Sequence, residues 1–315
     1  MRVVFTSKIE PSLKEDLERS FPELHLHYHE TPESAKADLK KADILFTYGG
    51  GLKGGVLEEA QNLQWMMVAS AGLDDLPMDW IQKQDLLVTN ARGVHQIQMS
   101  EFTLHAMLDH ARSALSFRKN QDRNIWEKLQ VHELYGKSVG ILGAGAIGTE
   151  IARKSHAFGM EVWGMNSDGR NVENFDYMVS KENLDELLSA SDYVINVLPS
   201  TPQTDNLIDR SFLDTMKNEG VLINIGRGNT VKEKDLQAAL EQGEISHAYL
   251  DVFKEEPLPD HHPFWSMEEI TITPHVAGDS PYYQARVMPI FKHNLQVFLS
   301  GKGQYQNVVD ISEGY

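Results

Sequence analysis

The sequence contains no cysteine, which excludes disulfides, thiolate metal sites and a cysteine nucleophile, and fits a reducing compartment. No apolar run approaches the length of a membrane span. Met1-Arg2 leads straight into the strand-like Val3-Val4-Phe5 with no signal peptide, so a cytoplasmic location is expected. Basic residues are few beside acidic ones: 29 Lys and Arg against 46 Asp and Glu leave a formal net charge of −17. A surface of that sign repels polyanions, which speaks against nucleic-acid or membrane partners, and any anionic substrate must be held by local positive groups. Low-complexity segments and solenoid repeats are absent too.

What is present is enough chain for two domains: 315 residues, each half long enough to bury a core. Short apolar runs alternate with helical stretches over the first third. Residues 3–6, 24–28, 44–47, 64–69 and 86–89 read as strands, and alternation of this kind means a parallel sheet with crossover helices. Two loops at strand ends, Tyr48-Gly49-Gly50-Gly51 and Ser70-Ala71-Gly72-Leu73-Asp74, carry glycines that leave backbone N–H groups open to a ligand, or that simply turn the chain. His25, His27 and His29 alternate with apolar neighbours and share one strand face. A solvated face is the commoner outcome of that pattern than a metal site, and no metal is expected.

Residues 98–120 have the apolar spacing of one long amphipathic helix joining the domains. Beyond it the stretch Lys137 to Gly148, KSVGILGAGAIG, organises the chain. Residues 138–142 read as a buried strand, and Gly143, Gly145 and Gly148 stand in G-x-G-x-x-G order before a helix running to Phe158. The first glycine allows a tight turn, the second lets a pyrophosphate approach bare backbone, and the third lets helix and strand pack closely. The helix start, with Ala146 and Ile147, offers N–H groups and a positive dipole end to phosphate. Strands at 161–165, 192–198, 221–225, 248–253 and 270–273, with helices at 184–190 and 232–242, complete a doubly wound sheet. A last helix spans 282–299, where Pro289 predicts a kink or break.

A nicotinamide dinucleotide at the glycine turn needs a proton donor beside the substrate carbonyl and a cation for substrate charge. Candidates belong at the carboxyl ends of later strands. Arg227 follows one in Asn224-Ile225-Gly226-Arg227-Gly228, Glu256 follows another just before Pro257, and His275 follows a third after Pro274.

These segments resemble the D-isomer-specific 2-hydroxyacid dehydrogenases. The likeness is carried by GAGAIG at 143–148, LPSTPQT at 198–204, NIGRG at 224–228, LDVFKEEPLP at 250–259, HPFW at 262–265 and TPHVAG at 273–278, in order over most of the central domain. It implies that Arg227, Glu256 and His275 form the catalytic set. Arg227 can pair its fork with the substrate carboxylate and polarise the 2-keto oxygen. His275 can donate a proton to that oxygen, with Glu256 favouring and orienting the charged imidazole. The resemblance also implies substrate contacts from the N–H groups of Ala71 and Gly72, opposite Arg227, and a nicotinamide carboxamide received by Asp251. It places Leu198, Pro199, Thr204, Ile225, Gly226, His275 and Gly278 along the dinucleotide. His262 is the rival base, and its place in a loop before Pro263 ranks it behind His275. Tyr48, Gly49, Trp265 and Arg92 are candidates to shape the substrate pocket.

One position departs from an NAD site. Where Asp or Glu would meet the ribose hydroxyls stands Asn166, followed by Ser167, Asp168, Gly169 and Arg170. Asn166 and Ser167 can donate to a 2′-phosphate and Arg170 can pair with it, so NADPH is favoured, with Asp168 keeping NADH open. The expected architecture is α/β with two doubly wound parallel-sheet domains. A Rossmann-type nucleotide domain, residues 96–280, is inserted in a flavodoxin-like substrate domain of residues 1–95 and 281–315. The expected reaction is reduction of a small 2-keto acid to the D-2-hydroxy acid, or its reverse, by a homodimer. Glyoxylate, hydroxypyruvate, pyruvate, bulkier keto acids and phosphorylated substrates all stay open. The rival from another class is a dinucleotide-sensing, corepressor-like binding protein of the same fold.

Overall fold

A computed structural model describes residues 1–73 and 75–311, so Asp74 of the second glycine loop and the last four residues of the expected substrate domain lie outside the described residues. The chain divides into two compact units, Met1–His95 with Ser280–Tyr315, and Gln96–Asp279.

The first unit begins β1 (Arg2–Phe5), α1 (Pro11–Ser20), β2 (His25–Tyr28), α2 (Pro32–Leu39), β3 (Ile44–Thr47), β4 (Trp65–Val68), α3 (Met78–Ile81) and β5 (Leu87–Asn90). Its five strands run parallel in the order β2-β1-β3-β4-β5, the flavodoxin-like winding. Side chains alternate across the sheet. Val3, Phe5, Ile44, Phe46, Trp65 and Met67 build one core, and Val4, Leu45, Met66, Val68 and Val88 build the other, against Ala35 and Leu39 of α2 and Ile81 of α3. On the edge strand β2 the histidines meet a carboxylate. His27 Nδ1 and His29 Nε2 lie 3.3 and 3.0 Å from Asp38 Oδ2, while Arg2 Nη1 donates to Oδ1 at 2.7 Å. Burial works against the ionised form of Asp38, but the His29 hydrogen bond and the charges of His27 and Arg2 outweigh it and lower its pKa. His25 is exposed.

The second unit contains α4 (Gln96–Ala111), α5 (Ala114–Asp122), β6 (Ser138–Leu142), α6 (Ala146–Ala157), β7 (Glu161–Met165), β8 (Tyr177–Val179), α7 (Leu184–Ala190), β9 (Tyr193–Asn196), α8 (Arg210–Thr215), β10 (Val221–Asn224), α9 (Glu233–Glu241), β11 (His247–Leu250) and β12 (Ile270–Ile272). The parallel sheet reads β12-β11-β10-β9-β6-β7-β8. Counted from β6 this is the Rossmann order with one added strand, and the direction of winding reverses between β6 and β9. The glycine turn leaves β6 at that reversal. Val139, Ile141, Val162, Ile195 and Ile223 pack one face with α4 and α6; Leu142, Val194, Leu222 and Ala248 pack the other with α7, α8 and α9.

The single helix expected over 98–120 is two helices. The chain breaks at Arg112–Ser113, where Ser113 takes a left-handed φ of 51°. The reason lies later in sequence: His132 N–H donates to the Ala111 carbonyl at 2.7 Å and Ser113 Oγ to the Gln130 carbonyl at 3.0 Å, so the returning segment satisfies the end of α4. The final helix, α10 (Tyr283–Ser300), returns the chain to the first unit and runs without interruption through Pro289, so of the expected kink or break the break does not occur. Pro289 leaves the Ala285 carbonyl without its helical donor, a loss outweighed by burial of Val287, Met288, Phe291 and Leu295 against the face of Phe5 and Trp65.

Candidate active site

The glycine turn is shaped by what its glycines lack. Gly143 has a φ of 107°, which L side chains rarely adopt. A Cβ on Gly148 would fall 2.1 Å from the Gly143 carbonyl oxygen, so only glycine lets α6 sit this close to the end of β6. A Cβ on Gly145 would meet nothing within 4 Å, so the backbone there is bare and accessible. No side chain caps the start of α6, which leaves N–H groups of its first turn, Ala146 and Ile147 among them, for an anion. A dinucleotide pyrophosphate fits this cradle.

Around it the expected dinucleotide residues sit on tightly closed loops. Leu198 N–H donates to Asn196 Oδ1 at 3.2 Å, and the Thr204 hydroxyl closes the 199–204 loop by donating to the Pro199 carbonyl at 2.6 Å. Ile225 is buried, Gly226 N–H donates to Asn224 Oδ1 at 3.1 Å, and the Gly278 carbonyl accepts from Gln98 Nε2 at 3.0 Å. In the loop after β7, Asn166 has a different occupation from the one expected. Its Oδ1 accepts the Gly169 N–H at 2.6 Å and its Nδ2 donates one N–H to the Arg170 carbonyl at 2.9 Å, so it closes the turn, beside exposed Ser167 and Arg170. The Arg170 backbone N–H and guanidinium hold the Asp168 carboxyl below its usual range.

Arg227 lies three residues beyond β10, in a loop tied down by buried polar side chains. Asn196 Nδ2 donates to Asn224 Oδ1 at 2.9 Å and to Thr230 Oγ1 at 2.8 Å, and both Asn224 Nδ2 and Thr230 Oγ1 donate to the Arg227 carbonyl. The guanidinium Nη1 donates to the Gly226 carbonyl at 2.9 Å. With Asn196, Asn224 and Thr230 all bonded, the network stiffens the loop.

Glu256 and His275 come together: Nδ1 of the imidazole and Oε2 of the carboxylate are 2.7 Å apart, and Oε1 accepts the Phe253 N–H at 2.9 Å. His275 has a left-handed φ of 54°, and its turn is built over Asp251. That carboxylate, 1% exposed, accepts from Thr273 Oγ1 at 2.6 Å and from the N–H groups of Val276 and Ala277 at 2.9 Å each. Asp251 therefore anchors the His275 turn. His262, the rival base, is engaged in structure: Nδ1 accepts the Phe264 N–H at 3.4 Å and caps the short turn of Pro263–Ser266. Trp265 is exposed, its indole N–H held by the Pro259 carbonyl.

In the first unit, Gly49 (φ 97°) donates its N–H to Thr47 Oγ1 at 3.1 Å, so the expectation of an N–H open there to ligand fails at Gly49. The second loop differs. Asn90 Nδ2 donates to the Ala71 carbonyl and Tyr283 Oη to the Ala69 carbonyl, while the N–H groups of Ala71 and Gly72 donate to none of the described residues. Burial pushes the Tyr48 phenol up in pKa. Arg92 N–H donates to Asn90 Oδ1.

The family model for the D-isomer specific 2-hydroxyacid dehydrogenase NAD-binding domain matches residues 104–277, more than half of the chain. The chain belongs to the D-isomer-specific 2-hydroxyacid dehydrogenases. It is 33% identical over 219 residues to a glyoxylate/hydroxypyruvate reductase A of Yersinia enterocolitica, which covers 70% of this chain and 69% of that protein. Among solved structures, a D-isomer specific 2-hydroxyacid dehydrogenase family protein of Aeromonas salmonicida superposes with a TM-score of 0.89 at 31% identity, over 98% of this chain and 99% of that one. The NADPH-dependent glyoxylate/hydroxypyruvate reductase of Sinorhizobium meliloti, solved with NADP and sulfate, gives 0.86 at 27% identity over 100% and 99%. As a member of this family the chain is a nicotinamide-dependent dehydrogenase. Among its described residues no helix is long and apolar enough to cross a membrane.

Sequence reasoning about this dehydrogenase missed Asn196, Thr230 and the anchoring work of Asp251. A usable signal existed for the first: Tyr-Val-Ile-Asn at 193–196 and Val-Leu-Ile-Asn at 221–224 both close an apolar strand with the same amide.

Proposed function

We propose that this dehydrogenase reduces a small 2-keto acid to the D-2-hydroxy acid with NADPH, and runs the reverse oxidation when NADP is supplied. The observation that carries the reading is the 2.7 Å pair of His275 and Glu256 at strand ends of the unit that holds the glycine turn. When bound, the reduced nicotinamide supplies the hydride. Glu256 fixes the proton on Nδ1 and orients the ring, leaving Nε2 of the imidazolium to donate to the 2-keto oxygen. The Arg227 guanidinium takes the substrate carboxylate and polarises the same oxygen. In the other unit the Ala71 and Gly72 N–H groups are donors of the kind a carboxylate accepts. In the oxidation His275 takes the proton back as base.

The cofactor preference rests on Ser167 and Arg170, which can meet a 2′-phosphate once Arg170 leaves Asp168. Arg170→Ala is expected to raise KM for NADPH about tenfold while changing KM for NADH by less than about twofold, the worth of one charge-assisted contact. Oxidation of NADPH and NADH measured against glyoxylate, hydroxypyruvate, pyruvate and bulkier keto acids tests activity, cofactor and substrate class together; no turnover with any of them would sink the proposal.

We also infer a homodimer. Helix α5 buries no residue, and Trp126 is 100% exposed beside Ile125, with Leu115, Phe117 and Tyr135 also open to solvent. Large apolar side chains left open along one helix and the segment after it are the kind of surface a partner chain covers. Sedimentation is expected to give twice the chain mass for the wild type and the chain mass for Trp126→Asp; a wild-type monomer would end this part of the reading.

A further inference from the structure

Glu233 opens α9 and has no part in the chemistry above, yet its carboxylate reaches two of the loops that supply the site. Oε1 accepts the Lys254 N–H at 3.2 Å, and Oε2 lies 3.6 Å from His262 Nε2. Both side chains are largely covered, at 22% and 18% exposure. On its other edge His262 accepts the Phe264 N–H through Nδ1, and its ring stands edge-on to buried Phe264 with centroids 4.5 Å apart. An accepting Nδ1 puts the imidazole proton on Nε2, toward Glu233.

The peptide that Glu233 grips joins the catalytic loops. A Cβ on Gly228 would fall 1.9 Å from the Phe253 carbonyl carbon and 2.5 Å from the Lys254 nitrogen. The Phe253–Lys254 peptide is thus pressed against the residue after Arg227 and bonded to Glu233. One residue earlier, the Phe253 N–H holds Glu256 Oε1, whose Oε2 holds His275. A shift of that peptide displaces the Arg227 loop and the Glu256 carboxylate together.

We propose that Glu233 is a positioning residue for the reaction: supported by His262, it fixes the Phe253–Lys254 peptide and so sets Arg227 in register with the Glu256–His275 pair. The proposal rests on the reductase reading. What the peptide needs from residue 233 is an acceptor oxygen, because the partner within hydrogen-bond distance is a backbone N–H. Glu233→Gln keeps such an oxygen and Glu233→Ala removes it.

The test uses the full chain, NADPH and the best keto acid of the panel. Glu233→Ala is expected to lower kcat by about tenfold, as the loss of a supporting contact behind a reacting group does, with KM for NADPH within about twofold of wild type; Glu233→Gln should restore kcat to within about threefold. A second readout needs no turnover. In protein labelled with 15N-histidine, the His275 ring signals, assigned by their loss in His275→Ala, should move away from the Nδ1-protonated form in Glu233→Ala and stay in place in Glu233→Gln. Wild-type kcat with unmoved His275 signals in Glu233→Ala overturns the proposal, and so does a glutamine variant as impaired as the alanine one. If Glu233→Ala does not fold, Glu233→Asp, which withdraws the carboxylate by one methylene, carries the same expectations. A wild-type chain inactive on every keto acid defeats the reductase reading, and the histidine signals then decide the positioning claim by themselves.

Discussion

His275→Ala is expected to lower kcat for keto-acid reduction by about three orders of magnitude, or ~4 kcal/mol of barrier, the middle of the range for a positioned general acid. The affinity for NADPH, read from quenching of tryptophan fluorescence, should change by less than about threefold, because the proposed phosphate cradle, the glycine turn and the uncapped start of α6, does not include the imidazole. The loss should fall on kcat, since the proton is delivered to an oxygen that gains charge only as the carbonyl is reduced. Glu256→Gln should fall between the two, as an amide oxygen still accepts from Nδ1 but no longer offsets the imidazolium charge. A His275→Ala enzyme with turnover close to wild type would remove the imidazole from the mechanism, and its hydrogen bond to Glu256 would then be structural.

Arg227→Ala should cut kcat/KM for the keto acid by about a thousandfold, ~4 kcal/mol, from the joint loss of the carboxylate partner and of a donor to the developing oxyanion. Arg227→Lys should recover only part of it, because an ammonium cannot present two parallel N–H groups to a carboxylate. The comparison is informative because the loop has anchors besides the guanidinium: the Arg227 carbonyl is held by Asn224 and Thr230, so the backbone is expected to stay in place when the guanidinium's own bond to the Gly226 carbonyl is lost. Equal thermal midpoints for wild type and both variants would confirm that the deficit is one of binding and polarisation. A lysine variant as active as wild type would show that a point charge suffices.

Much of this molecule could be read before its structure. Parallel strands announce themselves as uncharged β-branched runs because both their faces are buried, and Arg227, Glu256 and His275 stood out because each follows such a run in a loop marked by glycine or proline. Two glycines of the turn were readable for a similar reason: Gly143 has a left-handed φ and Gly148 has no room for a Cβ, whereas Gly145 is free of both constraints and serves only to leave the backbone bare. What could not be read depends on partners distant in sequence. The break at Ser113 needs Gln130 and His132 to satisfy the helix end. The inward engagement of Asn166 depends on how the next four residues fold back. Pro289 stays inside a continuous helix because residues on both sides of it pack into the core around Phe291 and Trp65, a tertiary effect that overrides local preference. The Asn196–Asn224–Thr230 network joins residues on two strands and the turn after one of them, and its meaning appears only once β9 and β10 pair.

The left-handed backbone at position 275 sets stability and activity against each other. A side chain there costs ~1 kcal/mol that glycine would recover, and the buried carboxylate beneath the turn is what forces the imidazole to accept the arrangement. A library selected for heat tolerance alone would therefore drift, at this residue, toward robust chains that lack the proposed proton donor.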